Sequence, residues 1–120
     1  MKKFMVCGSR TITDEKRVFG EIEKCWSENL GSEPVVLVEG EARGVDSIAK
    51  AWAISKNFQL EPHKPDWKKF GRGAGIVRNK EMVEASDFVL ILWDGASKGT
   101  LSDIQFCEKL EKQNKVVMFI

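Results

Sequence analysis

Apolar runs alternate with amphipathic stretches from one end of this 120-residue chain to the other. Phe4–Cys7 is a short apolar run that breaks at Gly8-Ser9-Arg10, the pattern of a strand followed by a turn. Thr13-Asp14-Glu15 then supplies a helix start with acid in its first turn. Val18, Ile22, Cys25 and Trp26 recur at helical spacing through Glu28, and Gly31 stops the run. Val35–Val38 is a block of aliphatic residues, as in a strand covered on both faces. After the turn Gly40-Glu41-Ala42-Arg43-Gly44, Asp46 is placed to cap a helix carrying Ile48, Ala49, Trp52 and Ala53 on one face. Gln59–His63, closed by Pro62 and Pro65, reads as a strand at a sheet edge. Pro65 to Gly75 reads as a loop rich in Lys and Gly. A helix over about Ala74–Ala85 precedes Phe88–Trp93, the most hydrophobic strand. A last helix carries Leu101, Ile104, Cys107 and Leu110, and Val116–Ile120 forms the final strand.

Strands that alternate with helices of about three turns require βαβ crossovers and a parallel sheet. The expected fold class is α/β: one doubly wound domain over residues 1–120, with a mostly parallel five-stranded sheet and helices on both faces. Composition adds little to this, with 42% hydrophobic and 31% charged residues. The formal net charge of +1 gives no global basic field, so nucleic acid is not the expected partner. Locally, Lys64, Lys68, Lys69, Arg72 and Arg78 are opposed only by Asp66, and the simplest reading of such a run is a solvated edge. Cys7, Cys25 and Cys107 are odd in number and widely spaced, which excludes a disulfide framework and argues against zinc; no metal and no cofactor are expected. No apolar run is long enough to span a membrane, and Met1-Lys2-Lys3 leads straight into a strand, so a cytoplasmic location is expected.

Candidate chemistry collects at the strand ends. In an open parallel sheet, ligands sit beyond the carboxyl ends of the strands, near the point where strand order reverses. Three small-residue turns fall there: Gly8-Ser9-Arg10, Gly40 to Asp46, and Asp94 to Thr100. A ligand approaching the backbone closely would explain their glycines. None matches G-x-G-x-x-G or the G-x-x-x-x-G-K-[ST] loop. Ser97, Gly99 and Thr100 open a helix and are the expected phosphate ligands through hydroxyls and amides, with simple capping by Ser97 or Thr100 as the alternative. Arg10, Arg43 and Arg78 follow or flank glycine turns, either as guanidinium clamps or in surface ion pairs. Asp46 suits a ribose hydroxyl or a helix cap, and Asp94 a polar ligand edge or a turn with Gly95. Trp67 and Trp93 flank the rim and suit base stacking, with core packing an equal alternative for Trp93. Trp26 and Trp52 suit the core or a dimer contact. His63, the only histidine, has no Ser or Cys partner for a triad.

These elements form an ordered set: Gly8-Ser9-Arg10, Gly40-x-Ala42-x-Gly44-Val45-Asp46, Trp52-Ala53, Pro65-x-Trp67 with Gly71 and Gly75, Arg78-Asn79-x-x-Met82, and Gly95-x-Ser97-x-Gly99-Thr100. Together they resemble the YspA/cpYpsA-related branch of the SLOG superfamily, a Rossmann-like group that includes DprA/Smf and Lonely Guy proteins. The resemblance implies a five-stranded sheet that binds nucleotides or nucleotide-derived signalling ligands, ADP-ribose-like or cyclic, at this rim, as a sensor or a sponge. It also implies a homo-oligomer, such as a dimer sharing pockets across subunits. Rim and motifs together give the expected ligand-binding set: Gly8, Ser9, Arg10, Gly40, Ala42, Arg43, Gly44, Asp46, Trp67, Arg78, Asn79, Trp93, Asp94, Gly95, Ser97, Gly99 and Thr100.

Lonely Guy enzymes cleave the N-glycosidic bond of nucleoside monophosphates. They use an Arg four residues before Met and a Glu three after the Thr of a Gly-Gly-x-Gly-Thr loop. Arg78 with Met82 fits the first spacing, and Asp103 stands where the Glu would be, which makes these two the catalytic candidates if the chain is an enzyme. Here Pro-Gly-Gly is replaced by Asp94-Gly95-Ala96-Ser97, and the acid is one methylene shorter. Misplacement by about 1 Å can cost on the order of 100-fold in rate, so binding is expected ahead of phosphoribohydrolase activity. Asp103 in a first helical turn would equally serve the helix dipole. A DprA-like reading, with Lys64–Arg78 and Trp67 holding single-stranded nucleic acid, ranks third.

Overall fold

Five strands form one sheet in a computed structural model that describes residues 1–120. In chain order the elements are β1 (Lys3–Gly8), α1 (Glu15–Leu30), β2 (Val36–Glu39), α2 (Val45–Ser55), β3 (Gln59–Pro62), α3 (Trp67–Phe70), α4 (Ala74–Ala85), β4 (Phe88–Trp93), α5 (Lys98–Lys109) and β5 (Asn114–Met118), with a 3₁₀ turn at Gly71–Gly73. The spatial order is β3-β2-β1-β4-β5, and every pairing is parallel. The order reverses between β1 and β4, which places the expected ligand crevice beyond Gly8 and Trp93.

The apolar runs account for both layers. Successive strand side chains point to opposite faces. Phe4 and Val6 of β1, with Leu90 and Leu92 of β4, pack on one face against Val18, Ile22 and Cys25 of α1 and Ile48, Ala49 and Trp52 of α2. Met5, Cys7, Val89 and Ile91 pack on the other against Met82 and Val83 of α4 and Cys107 of α5. Trp52 is 1% exposed and meets Phe4 and Trp26 edge to face, so it is core rather than a dimer contact. Trp26 packs beside it on Phe58 and donates its indole N–H to the Glu33 carbonyl (2.7 Å). No helix is long and apolar enough to cross a membrane.

Local chemistry sets the helix ends. The Asp14 carboxylate accepts from the Arg17 amide (3.1 Å), and Gly31 closes α1 in the left-handed region, φ 62°. Two segments differ from expectation. Pro65 to Gly75 is not simply a loop, because Asp66 accepts from the Lys69 amide (3.1 Å) and starts the one-turn helix α3. The last strand begins two residues early, at Asn114, and ends at Met118. At an edge, pairing with β4 fixes its limits (Val89 opposite Asn114, Leu92 opposite Val117), and one face needs no apolar residue.

Gly8, Gly40 and Gly44 make room for protein atoms, so for these three a ligand's approach is not what requires glycine, whereas Gly99 faces open space. A β-carbon on Gly8 would overlap the Leu92 carbonyl oxygen and stand 2.6 Å from Val45 Cγ2. Gly44 has φ 75°, and a β-carbon there would lie 2.8 Å from the Arg10 backbone. Gly8→Ala is therefore expected to destabilise the fold by about 1–3 kcal/mol through overpacking. Gly20→Ala, on the open face of α1 with nothing within 4 Å, should stabilise it by about 0.5–1 kcal/mol. Urea denaturation of the two variants checks the pair, and a neutral Gly8→Ala would contradict this packing.

Candidate functional site

The loop after β4 is shaped by one carboxylate. Asp94 Oδ1 accepts from the amides of Ala96 and Ser97, both at 2.8 Å, and Oδ2 accepts from the Thr11 hydroxyl at 2.9 Å. Those two amides, then Thr11, hold the Asp94 carboxyl at about 2. The Asp94 amide donates to Ser9 Oγ (3.1 Å), which binds the first and fourth strand turns together. Asp94 therefore builds a turn, with Gly95 at φ 84°, while it also lines the cavity. Ser9 is buried in the same joint and lies 3.5 Å from the Thr100 hydroxyl. Trp93 does not line the cavity; its indole N–H donates to the Ser97 carbonyl (3.0 Å) and props the loop from beneath.

Ser97 caps α5, accepting from the Thr100 amide (3.4 Å) and the Thr100 hydroxyl (3.2 Å). Of the amides expected to hold phosphate, those of Ser97 and Thr100 are thus already used. The Lys98 and Gly99 amides have no acceptor within the protein. Nothing lies within 4 Å of the point where a β-carbon on Gly99 would stand. Two unpartnered N–H groups at a helix start, under an open surface, favour an anion.

Facing this helix start, Arg78 donates from Nε to Asn79 Oδ1 (2.8 Å) and from Nη1 to the Gly40 carbonyl (2.5 Å). Asn79 donates in turn to Ser102 Oγ (3.0 Å) and the Gly99 carbonyl (3.3 Å), tying α4 to α5. Asp46 does not cap its helix. It lies one residue inside α2 and turns back, so that Oδ2 accepts from the amides of Gly40 (3.1 Å) and Ala42 (3.2 Å). Burial raises its pKa, and the Ala42 amide and the Arg78 charge oppose the rise. Arg10, Arg43 and Arg78 take part in no ion pair, which removes the surface-pair alternative for all of them.

These turns enclose a cavity of about 500 Å³. Gly8, Arg10, Ala42, Asp46, Arg78, Asn79, Asp94, Ser97, Gly99, Thr100 and Asp103 line it. The sequence reading missed Cys7, Thr11, Met82 and Ala96, which also line it. Cys7 and Met82 carry only the signal of core residues, while Thr11, next to the Arg10 turn, was open to detection. Gly40, Arg43 and Trp67 border a second hollow of about 780 Å³, which also touches Arg10, Ala42 and Arg78. Gly44 and Gly95 shape the turns without lining either space. His63 sits apart, its Nε2 2.8 Å from Glu61. No three of His, Cys, Asp and Glu stand close enough to hold a metal ion.

Asp103 is the sixth residue of α5, one turn beyond the helix start, so the first-turn dipole explanation falls. It is 4% exposed, and its Oδ1 has no hydrogen-bond partner. Burial pushes its carboxyl up to about 7, the Asp46 charge adds to the rise, and the neighbouring Cys7 thiol opposes it. Burial likewise pushes the Cys7 thiol up. Glu39, at the end of β2, is a second buried carboxyl raised to about 7 by burial. Its Oε2 accepts from the Glu41 amide (2.6 Å), while Oε1 is unpartnered. An apolar run had hidden it.

Comparison with known proteins bears on the family and the fold. The Gene 61 protein of Mycobacterium phage D29 is 36% identical, with 83% of each chain covered. DNA processing protein A (DprA) of Streptococcus pneumoniae superposes with a TM-score of 0.78 at 16% identity, over 100% of this chain and 51% of that one. The same protein from Helicobacter pylori, whose structure is described for its single-stranded DNA binding mode, superposes with a TM-score of 0.73 at 19% identity, over 99% of this chain and 66% of that one. The chain therefore spans about half to two thirds of these structures, and the likeness is one of fold. Residues 3–70, more than half of the sequence, match the YspA, cpYpsA-related SLOG family, and the chain belongs to that family.

Proposed function

We propose that the chain binds a nucleotide or nucleotide-derived signalling ligand, ADP-ribose-like or cyclic, as a sensor or sponge. One observation carries the reading: Gly99, whose amide and that of the preceding Lys98 have no acceptor, lines a cavity with Arg10, whose side chain makes no ion pair or hydrogen bond. A guanidinium outside any ion pair and a helix start both favour negative charge. Asp46 spends Oδ2 on its loop, and Oδ1 accepts no hydrogen bond within the protein, which suits a ribose hydroxyl.

A second reading, cleavage of an N-glycosidic bond, is favoured by the unpartnered Oδ1 of Asp103 at the cavity wall. A carboxyl near 7 can exchange a proton at neutral pH. Under this reading Asp103→Asn abolishes turnover while binding persists. Nucleic acid, which the near-neutral composition argued against, regains support from exposed Trp67 beside Lys64 and Arg43, and from the DNA binding described for the Helicobacter pylori protein. It requires binding that weakens steeply with salt.

A thermal-shift screen of nucleotides and ADP-ribose derivatives tests the main reading. A ligand at a hundredfold excess over its Kd should stabilise the chain by about 2.7 kcal/mol. Arg10→Gln should weaken binding by about tenfold or more and move unliganded melting far less, since no hydrogen bond or ion pair of that side chain is lost. If every such compound leaves melting unchanged and only single-stranded DNA shifts it, the reading fails.

The raised Asp103 carboxyl makes binding and stability depend on pH in the same direction. It is neutral below about 7 and becomes a second negative charge beside a bound anion above it. Wild-type affinity relative to Asp103→Asn should therefore fall as pH rises from 6 to 8. Because the folded-state value lies above the unfolded one, its contribution to stability is full below about 4 and is lost as pH rises through about 7. Melting at pH 5 and pH 8 should show a drop that Asp103→Asn reduces. Parallel wild-type and variant profiles would contradict the assignment.

A further inference from the structure

The cavity beside Gly99 does not end at its own wall. Arg10, Ala42 and Arg78 line both it and the hollow beside β2, so the two form adjoining chambers with guanidinium groups at the junction. At about 500 and 780 Å³, each lies within the roughly 300–1,000 Å³ that holds one drug-sized ligand. A single mononucleotide leaves one of them unfilled. The second chamber has its own recognition chemistry: Arg43 and Lys64 supply two further cations, neither in an ion pair, and its acid, Glu41, lies 3.8 Å from Lys50. On its border Trp67 is 56% exposed and its side chain makes no hydrogen bond and meets no aromatic ring. Exposed aromatics beside unpaired cations are the elements that stack a base and hold its phosphate.

Resting on the nucleotide reading above, we propose that the ligand is bipartite: two phosphoryl groups, one in each chamber and bridged past Arg10 and Arg78, with an aromatic base stacked on Trp67. The class is a pyrophosphate- or phosphodiester-linked nucleotide rather than a mononucleotide. Arg10 makes no hydrogen bond or ion pair within the protein, and Arg78 donates only from Nε and Nη1, so both retain donors for the bridge.

Calorimetric titration of the full chain with AMP, GMP, ADP-ribose, cyclic di-GMP and a ten-residue oligothymidylate tests this, with wild type and Trp67→Ala. At least one bridged compound should bind about tenfold or more tightly than either mononucleotide, the low end of what one base stack contributes. Trp67→Ala should remove that advantage and change mononucleotide affinity by less than about twofold. Equal affinity for bridged compounds and mononucleotides, or a Trp67→Ala effect shared by both, overturns the bipartite ligand and leaves the one-chamber reading standing. Tightest binding to the oligothymidylate overturns it in favour of a nucleic-acid strand. No heat from any nucleotide overturns both readings together.

Discussion

The Asp94 carboxylate decides which backbone groups remain for a ligand. By taking the Ala96 and Ser97 amides and the Thr11 hydroxyl, it fixes the loop between β4 and α5 and joins it to the turn after β1. Ser97 then caps the helix with its own side chain, and the amides of the first helical turn left over are those of Lys98 and Gly99. Three strong amide or hydroxyl donors stabilise the charged form, which is why this carboxyl stays low, at about 2, while the buried carboxyls nearby rise.

The sheet places this loop where it is useful. β1 lies next to both β2 and β4, and the order reverses between β1 and β4, so the turns after all three strands share one rim. Arg78 and Asn79 come from α4 and reach across that rim, one to the Gly40 carbonyl and the other to the start of α5. The second turn is held from within, by Asp46 on the amides of Gly40 and Ala42. A site whose walls are already hydrogen-bonded is held in shape before any ligand arrives, which lowers the ordering cost of binding.

Much of this was legible from the chain, and the misses share a physical cause. Apolar runs bounded by glycines marked Phe88–Trp93, and periodicity marked Ala74–Ala85, because burial on a fixed period leaves a pattern. The one-turn helix α3 has no period, and the start of β5 is polar because pairing with β4 sets it. At the site, the three rim turns were visible, the turn at Asp94 and the cap at Ser97 stood as one of two alternatives each, and the role of Asp46 was not foreseen. Short polar side chains bond nearby backbone as readily as they bond a ligand, and sequence does not show which. Asp103 turned on the choice of cap: starting α5 at Ser97 moves it from the first turn to the buried face it shares with Thr100.

Backbone amide shifts in a ¹⁵N-labelled sample titrated with pyrophosphate measure the anion cradle most directly. Lys98 and Gly99 should move furthest and saturate together, while Ala96 and Ser97, already committed to Asp94, should move least. Shifts spread over surface lysines without saturation, or none at Lys98 and Gly99, would contradict the cradle.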